Sequence, residues 1–395
     1  MRILFVTPPP YLPNRLHRNR SFDLIRILAR KHQVHLLCVV TDQKVYPEFK
    51  EIKKVCRSVK VIRISKFRAM LNVLFFPHLP AEVAFCNFKK AQQEIEKIVK
   101  DKKIDLVYIK RLRSVVFVPE VDVPMVVDTT DAMSLFYDRL ARNSNFPKTI
   151  FYLLESLKYK WYEKKVAQKF KNWIISSPLD EKYLKRVGLK INTHVVPNAV
   201  NIDYFKSSTA NFEQNTLLFS GLMDKPVNID AAVFFAREIF PLIKKEVADV
   251  KLYIVGPNPS IKVRNLNSDG IFVKGHVKDL RQFIAKSQIV VAPIRIATGV
   301  RNKILQGWAM GKPVVSTTIG AEGLKARDGE NILIADSATK FADDVVKILK
   351  NKQLYNKLAK NGRKTVEAKY SYQSISNNLE EVLRDVRKSK KTASK

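Results

Sequence analysis

Acidic residues are scarce beside basic ones: 37 Asp and Glu stand against 71 Lys and Arg, a formal net charge of +34. The excess is spread over both halves of the chain, so no single tail accounts for it. Such a field draws anionic partners, whether phosphorylated substrates, an anionic membrane surface or nucleic acid. No nucleic-acid recognition module accompanies the charge, so no specific nucleic-acid partner is expected. Cysteine is rarer still. Cys38, Cys56 and Cys86 lie far apart, form no C-x-x-C pair and fit no closed disulfide framework. A reducing cytoplasm is the expected setting. No apolar run approaches the roughly eighteen residues of a membrane-spanning helix. The N-terminal MRILFVTPPP reads as a buried strand and its loop rather than a signal peptide. The six histidines are scattered without zinc spacing, so no metal ligands are assigned. A Walker lysine loop and a G-x-S-x-G elbow are both missing.

What is present is a regular alternation. A chain of 395 residues, 46% of them hydrophobic, is long enough for two cored domains. Short runs rich in Val, Ile and Leu, at 3–6, 34–40, 61–64, 106–109 and 125–128, read as strands buried on both faces. Helical patterns separate them, and a long one follows from Pro147 to about Trp173. The alternation restarts after residues 206–215, with strands at 217–220, 251–255, 271–273, 289–292 and 314–316. The expected fold class is therefore α/β, with two doubly wound Rossmann-like domains in tandem. The expected division is 1–190, 191–370, a crossover helix at 371–388 and a basic, unstructured tail at 389–395.

Open parallel sheets bind ligands beyond the C-terminal ends of their strands. After Ala292 comes PIRIATGVRNKILQGWAMGKP. Gly299 allows a tight turn before a helix, whose first N–H groups near Val300 and Arg301 make an anion site. Arg301 and Lys303 add two cationic side chains. The arrangement suits a diphosphate, bound and then departing; an ordinary strand–turn–helix with solvated bases is the alternative.

This segment resembles the donor-binding motif of glycosyltransferase family 4, which has the GT-B fold and retains anomeric configuration. SGLMDKPVNIDAAVFFAREIFP, LYIVGPNPS, VKGHVKDL, VVPNAVNIDYF and DGENILIADS fall in the order expected of that family, covering roughly residues 195–385. The resemblance implies a metal-independent transfer of a sugar from a nucleotide-sugar donor, with no cofactor, to a glycan or lipid-linked acceptor of envelope polysaccharide or glycolipid synthesis. It implies that Gly221 lets the backbone approach the donor phosphates and that Arg301 and Lys303 neutralise the diphosphate. It places His276 and Val277 at the base, and Glu322 in a loop facing the donor. Asp131 falls where the family sets a polar residue against the transferred sugar.

Two departures stand out. The family has two glutamates separated by seven residues; here those positions hold Thr298 and Gln306, and Gln306 replaces only part of a carboxylate's role toward the ribose. Leu222 follows Gly221 where a cation is usual, with Lys225 as its substitute. A non-catalytic nucleotide-sugar or anion-binding protein that kept the fold is thus the alternative reading.

In the first domain PPPYLPNRLHRNRSFDL supplies Arg15, Arg18 and Arg20, which suit a phosphorylated acceptor or the donor diphosphate, or else a solvated basic loop. Asp128 and Asp131 raise a metal pair, which their D-x-x-D spacing and the fold signals oppose. FRAMLNVLFFPHLP at 67–80 and the basic helix near 150–170 set apolar groups beside Lys and Arg. They suit either an interfacial surface, placing the enzyme on the cytoplasmic face of a membrane, or a core.

Overall fold

A computed structural model of the chain describes residues 1–9, 12–13, 19–41, 47–206, 212–296 and 298–393. It divides into two compact units, Met1–Ala199 with Ile375–Lys395, and Val200–Ser374.

The first unit holds a seven-stranded parallel sheet in the order β3-β2-β1-β4-β5-β6-β7. The strands are β1 Arg2–Thr7, β2 Gln33–Val40, β3 Ser58–Arg63, β4 Leu106–Lys110, β5 Met125–Thr130, β6 Asn172–Ile175 and β7 Asn192–Val195. Central β1 pairs with β2 (Val6 opposite Leu37) and with β4 (Val6 opposite Ile109). Ile3 to Val6 are fully buried, as a strand covered by helices on both faces requires. The second unit repeats the plan in six strands, β10-β9-β8-β11-β12-β13. These are β8 Thr216–Ser220, β9 Lys251–Val255, β10 Ile271–Gly275, β11 Ile289–Ala292, β12 Val314–Ser316 and β13 Leu333–Ile334. Both sheets grow outward from their first strand in both directions. Each therefore has a topological switch point, between β1 and β4 in one unit and between β8 and β11 in the other. This is the GT-B architecture expected from the sequence.

The differences from expectation have local causes. Strands β7 (NTHV) and β13 (LI) go unanticipated because one is polar and the other two residues long. The helical stretch after β8 is interrupted. It runs Pro226–Phe234, passes through a π turn at Phe235–Ile239, and resumes as Phe240–Glu246. Pro241 follows the π turn and has no N–H to donate to the preceding helical ladder. The C-terminal helix runs Tyr372–Ala393 and so takes in most of the stretch expected to be an unstructured tail; lysine-rich sequence is good helix former. From Ile375 on, this helix belongs to the first unit, where Glu380 meets His32 at 2.8 Å.

Candidate functional site

In the second unit, three neighbouring strands run out into glycine at the same edge. The N–H of Gly221, after β8, donates to the Val255 carbonyl at 3.0 Å, and that of Gly256, after β9, to the Gly275 carbonyl at 2.8 Å. A Cβ on Gly256 would sit 1.6 Å from the Gly221 carbonyl oxygen, and one on Gly221 would lie 2.8 Å from the Asn228 amide. No side chain fits between these strand ends, so backbone packs directly on backbone there. Gly256 is a residue the sequence reading missed. Its signal, a glycine closing the strand LYIV, was there.

Across the switch point, the chain leaves β11 and turns at Gly299, whose φ of +71° favours glycine. It enters the helix Asn302–Ala309 with Arg301 as N-cap. The far end of this helix is held in the core: Ile304 and Trp308 are fully buried, and Gly362 packs so tightly on the Trp308 ring that a Cβ there would come within 2.4 Å of it. The near end is electrostatically unusual. The first turn carries no acid, and an arginine N-cap accepts no hydrogen bond. Arg301 and Lys303 add positive charge where the helix dipole is already positive, the reverse of the stabilising pattern. Lys303 donates to Asn228 Oδ1 at 3.0 Å and lies 3.9 Å from the centre of the Phe219 ring. Burial first, and the neighbouring Arg301 second, hold its ammonium well below the usual lysine range. Asn228 also donates to the Leu222 carbonyl at 2.9 Å, so it ties the loop after β8 to Lys303. Nothing in its local sequence announces that role.

The other expected donor residues lie on the segments that follow β8, β10, β11 and β12. Thr298 and Val300 are buried, and Gln306 is half-buried on the helix, one turn beyond Lys303. Val277 is half-buried and His276 exposed just past β10. Glu322 caps the short helix Thr318–Ala321 at its C-terminus. That loop is fixed by Thr317, whose hydroxyl bonds the Ile294 carbonyl and accepts from Gly320 N–H at 3.0 Å. Lys225 is the exposed N-cap of Pro226–Phe234, with its ammonium 3.4 Å from Asp224.

In the first unit Arg15 and Arg18 lie outside the described residues. Arg20 does not behave as a ligand-facing arginine, and that expectation is corrected. It is buried, with its guanidinium bonded to Asn198 Oδ1 at 3.0 Å, the Val196 carbonyl at 2.8 Å and Asp128 Oδ2 at 3.3 Å. Asp128, fully buried, also accepts from Tyr108 (2.6 Å), Lys110 (2.9 Å) and Thr130 (3.1 Å). Burial would push its carboxyl up, but Arg20 and then Lys110 outweigh that and hold it well below the usual carboxylate range. With those partners Asp128 has little left for a metal. Among the described residues no group of three His, Cys, Asp or Glu is placed to hold one. Asp131, just past β5, is half-buried, 3.5 Å from Arg111 and accepting from Ser176 at 3.4 Å.

Residues 214–351 match the family model described as Glycosyl transferases group 1. The chain is 23% identical over 391 residues to an uncharacterised 44.6 kDa protein of the cps region of Klebsiella pneumoniae, covering 94% of this chain and 97% of that one. It is 29% identical over 163 residues to the lipopolysaccharide core biosynthesis glycosyltransferase LpsE of Rhizobium meliloti, covering 38% and 48%. Among solved structures, Anabaena HepE in complex with UDP and glucose superposes with a TM-score of 0.66 at 16% identity, over 97% of this chain and 99% of that one. The matched segment takes in the glycine strand ends and the cationic helix, and the fold similarity extends over both units: the chain is a glycosyltransferase of the GT-B fold.

Proposed function

We propose that the protein is a retaining, metal-independent transferase of the family 4 type. Its donor is a nucleoside-diphosphate sugar and its acceptor a glycan or lipid-linked saccharide of envelope polysaccharide synthesis. The observation that carries this reading is the cationic end of the helix Asn302–Ala309, where Arg301, Lys303 and the helix dipole converge without an acid in the first turn. A diphosphate resolves that electrostatic conflict. As the sugar–phosphate bond breaks, negative charge grows on the leaving diphosphate, and fixed cations stabilise it without reorganising. That is the work a divalent ion would otherwise do. Gln306, one turn along the same face, is assigned to the ribose, Val277 and His276 to the base, and Glu322 to the sugar; in the first unit Asp131 is the candidate catalytic residue. HepE's complex with UDP and glucose favours a uridine nucleotide, and the cps and lipopolysaccharide core relatives favour a surface polysaccharide.

The test is a thermal-shift screen of nucleotide-sugars, followed by turnover of the stabilising donor with and without a chelator. A bound ligand raises the melting temperature by mass action. Release of nucleoside diphosphate that survives the chelator is the expected result. Activity lost to the chelator and restored by magnesium or manganese would overturn metal independence. Thr298 and Gln306, where the family has glutamates, favour a second reading as a binding protein. A donor that stabilises the fold yet never turns over, with any glycan or lipid extract as acceptor, would select it.

A further inference from the structure

The helix Lys148–Lys169 is built inside out. Its buried face carries Glu155, Ser156, Tyr159, Tyr162 and Glu163, and both carboxylates are only 1% exposed. They are matched internally: Glu155 accepts from the Ala81 N–H at 2.8 Å, and Glu163 from the Ser134 N–H at 3.2 Å and hydroxyl at 2.6 Å. The outward face carries Ile150, Phe151, Leu153, Leu154, Leu157 and Trp161, with Leu157 at 60% and Trp161 at 46% exposure. Single exposed leucines are ordinary; a contiguous apolar face on a helix whose acids are buried is not. A second helix, Lys66–Phe75, exposes Phe67, Met70, Leu74 and Phe75. The two meet through His78, whose ring lies 6.2 Å from Phe76 and 6.3 Å from Trp161.

The exposed charges that these two helices themselves carry are basic, with Glu120 paired to Lys169 at the far end at 2.6 Å. Lys66, Arg68, Lys148, Lys164 and Lys165 are exposed, and the Lys165 ammonium sits 5.0 Å from the Trp161 ring centre. Residues 66–80 contain no Asp or Glu, and residues 142–169 contain only the two buried glutamates. We propose that this face of the first unit seats on an anionic lipid bilayer, with its apolar side chains entering the headgroup–acyl boundary and its lysines meeting lipid phosphates. A second copy of the chain fits poorly, because it would bring the same cations, on a chain of net charge +34, against themselves. Spanning is not the mode: among the described residues no helix is long and apolar enough to cross a membrane. The inference does not rest on the transfer reaction.

Of the three tryptophans, Trp173 and Trp308 are buried, so Trp161 is the reporter. The full chain is mixed with phosphatidylcholine vesicles, with or without phosphatidylglycerol, and followed by tryptophan emission and flotation. With phosphatidylglycerol at low salt the emission moves to the blue and the protein floats; with pure phosphatidylcholine neither occurs. At 1 M salt, where the Debye length is about 3 Å, binding falls at least tenfold. Phe151→Ser/Leu154→Ser/Leu157→Ser and, separately, Lys164→Glu/Lys165→Glu each weaken flotation about tenfold or more, with the melting temperature kept as the fold control. The proposal is overturned if the wild type neither floats nor shifts its emission. It also falls if both variants float as well as the wild type, or if the serine variant instead abolishes a concentration-dependent dimer. None of these readouts uses the donor, so a failure here leaves the transferase reading standing.

Discussion

In the second unit β8 and its neighbours β9 and β10 run out into glycine, and Gly221 and Gly256 come so close that only backbone fits. In the first unit the same edge of an equally ordered sheet is filled: Lys110 at the end of β4, Asp128 in β5 and Arg20 after β1 close into one buried network. Two copies of one topology thus use their strand ends in opposite ways. One packs backbone on backbone beside a helix end of unbalanced positive charge; the other supplies its own anion, Asp128, and is neutralised internally. A strand order locates where a site can be, and the residues at the strand ends decide whether it is open.

The harshest way to break this contrast is to add a side chain at the glycine end. Gly256→Ala puts a Cβ against the Gly221 carbonyl, and stability should fall by about 5 kcal/mol, the range reserved for backbone clashes and comparable defects. Chemical denaturation measures it, and a tolerated alanine would mean the strand ends have slack. Emptying the closed end comes next. Asp128→Asn leaves Arg20 and Lys110 buried without their carboxylate and should cost about 3–5 kcal/mol, with nucleotide affinity per folded molecule unchanged. An affinity loss as large as the stability loss would show that the network serves the ligand as well.

A third test sets the pH behaviour of the first unit's acids against each other. Burial pushes the Glu163 carboxyl up to about 7, against the opposing bonds from Ser134. Its folded value lies above its unfolded one, so its favourable contribution is complete below about pH 4.5 and is lost as pH rises through 7. Glu163→Gln should therefore be more stable than wild type by up to about 3 kcal/mol at pH 8 to 9, a gap that closes by pH 4. Asp128 runs the other way: held low, it stabilises at neutral pH, and that contribution fades in acid. Denaturation curves across pH for the two single variants separate these signs. The smallest expected effect is on ligand binding. Arg301→Ala and Lys303→Ala should each weaken nucleotide-sugar affinity by about 1–3 kcal/mol in calorimetry, with the fold intact. Unchanged affinity in both would remove the anion site from this helix.

Much of this was legible from the chain. Val- and Ile-rich runs gave the central strands, and Gly299 with Arg301 and Lys303 marked the helix end that the structure makes cationic. What failed to show were pairings across distance. Arg20 looked like a loop arginine because Asp128, its partner, lies 108 residues away. Gly256 looked ordinary because its reason is the carbonyl of Gly221. Helical spacing puts Ile150, Leu154, Leu157 and Trp161 on one face, but periodicity does not say which face is buried. The buried one turned out to hold the glutamates, whose partners Ser134 and Ala81 come from other elements.

The depressed Lys303 ammonium has a thermodynamic corollary. An anion arriving beside it favours its charged form, so binding raises the lysine's proton affinity and draws a proton from solution wherever the empty site had lost one. Affinity for a diphosphate should then decline with rising pH over a range in which an ordinary lysine is indifferent. Calorimetry in buffers of differing ionisation enthalpy would read that uptake as a heat that changes with the buffer. Lys303→Arg, which keeps its charge throughout, should bind with a heat independent of it.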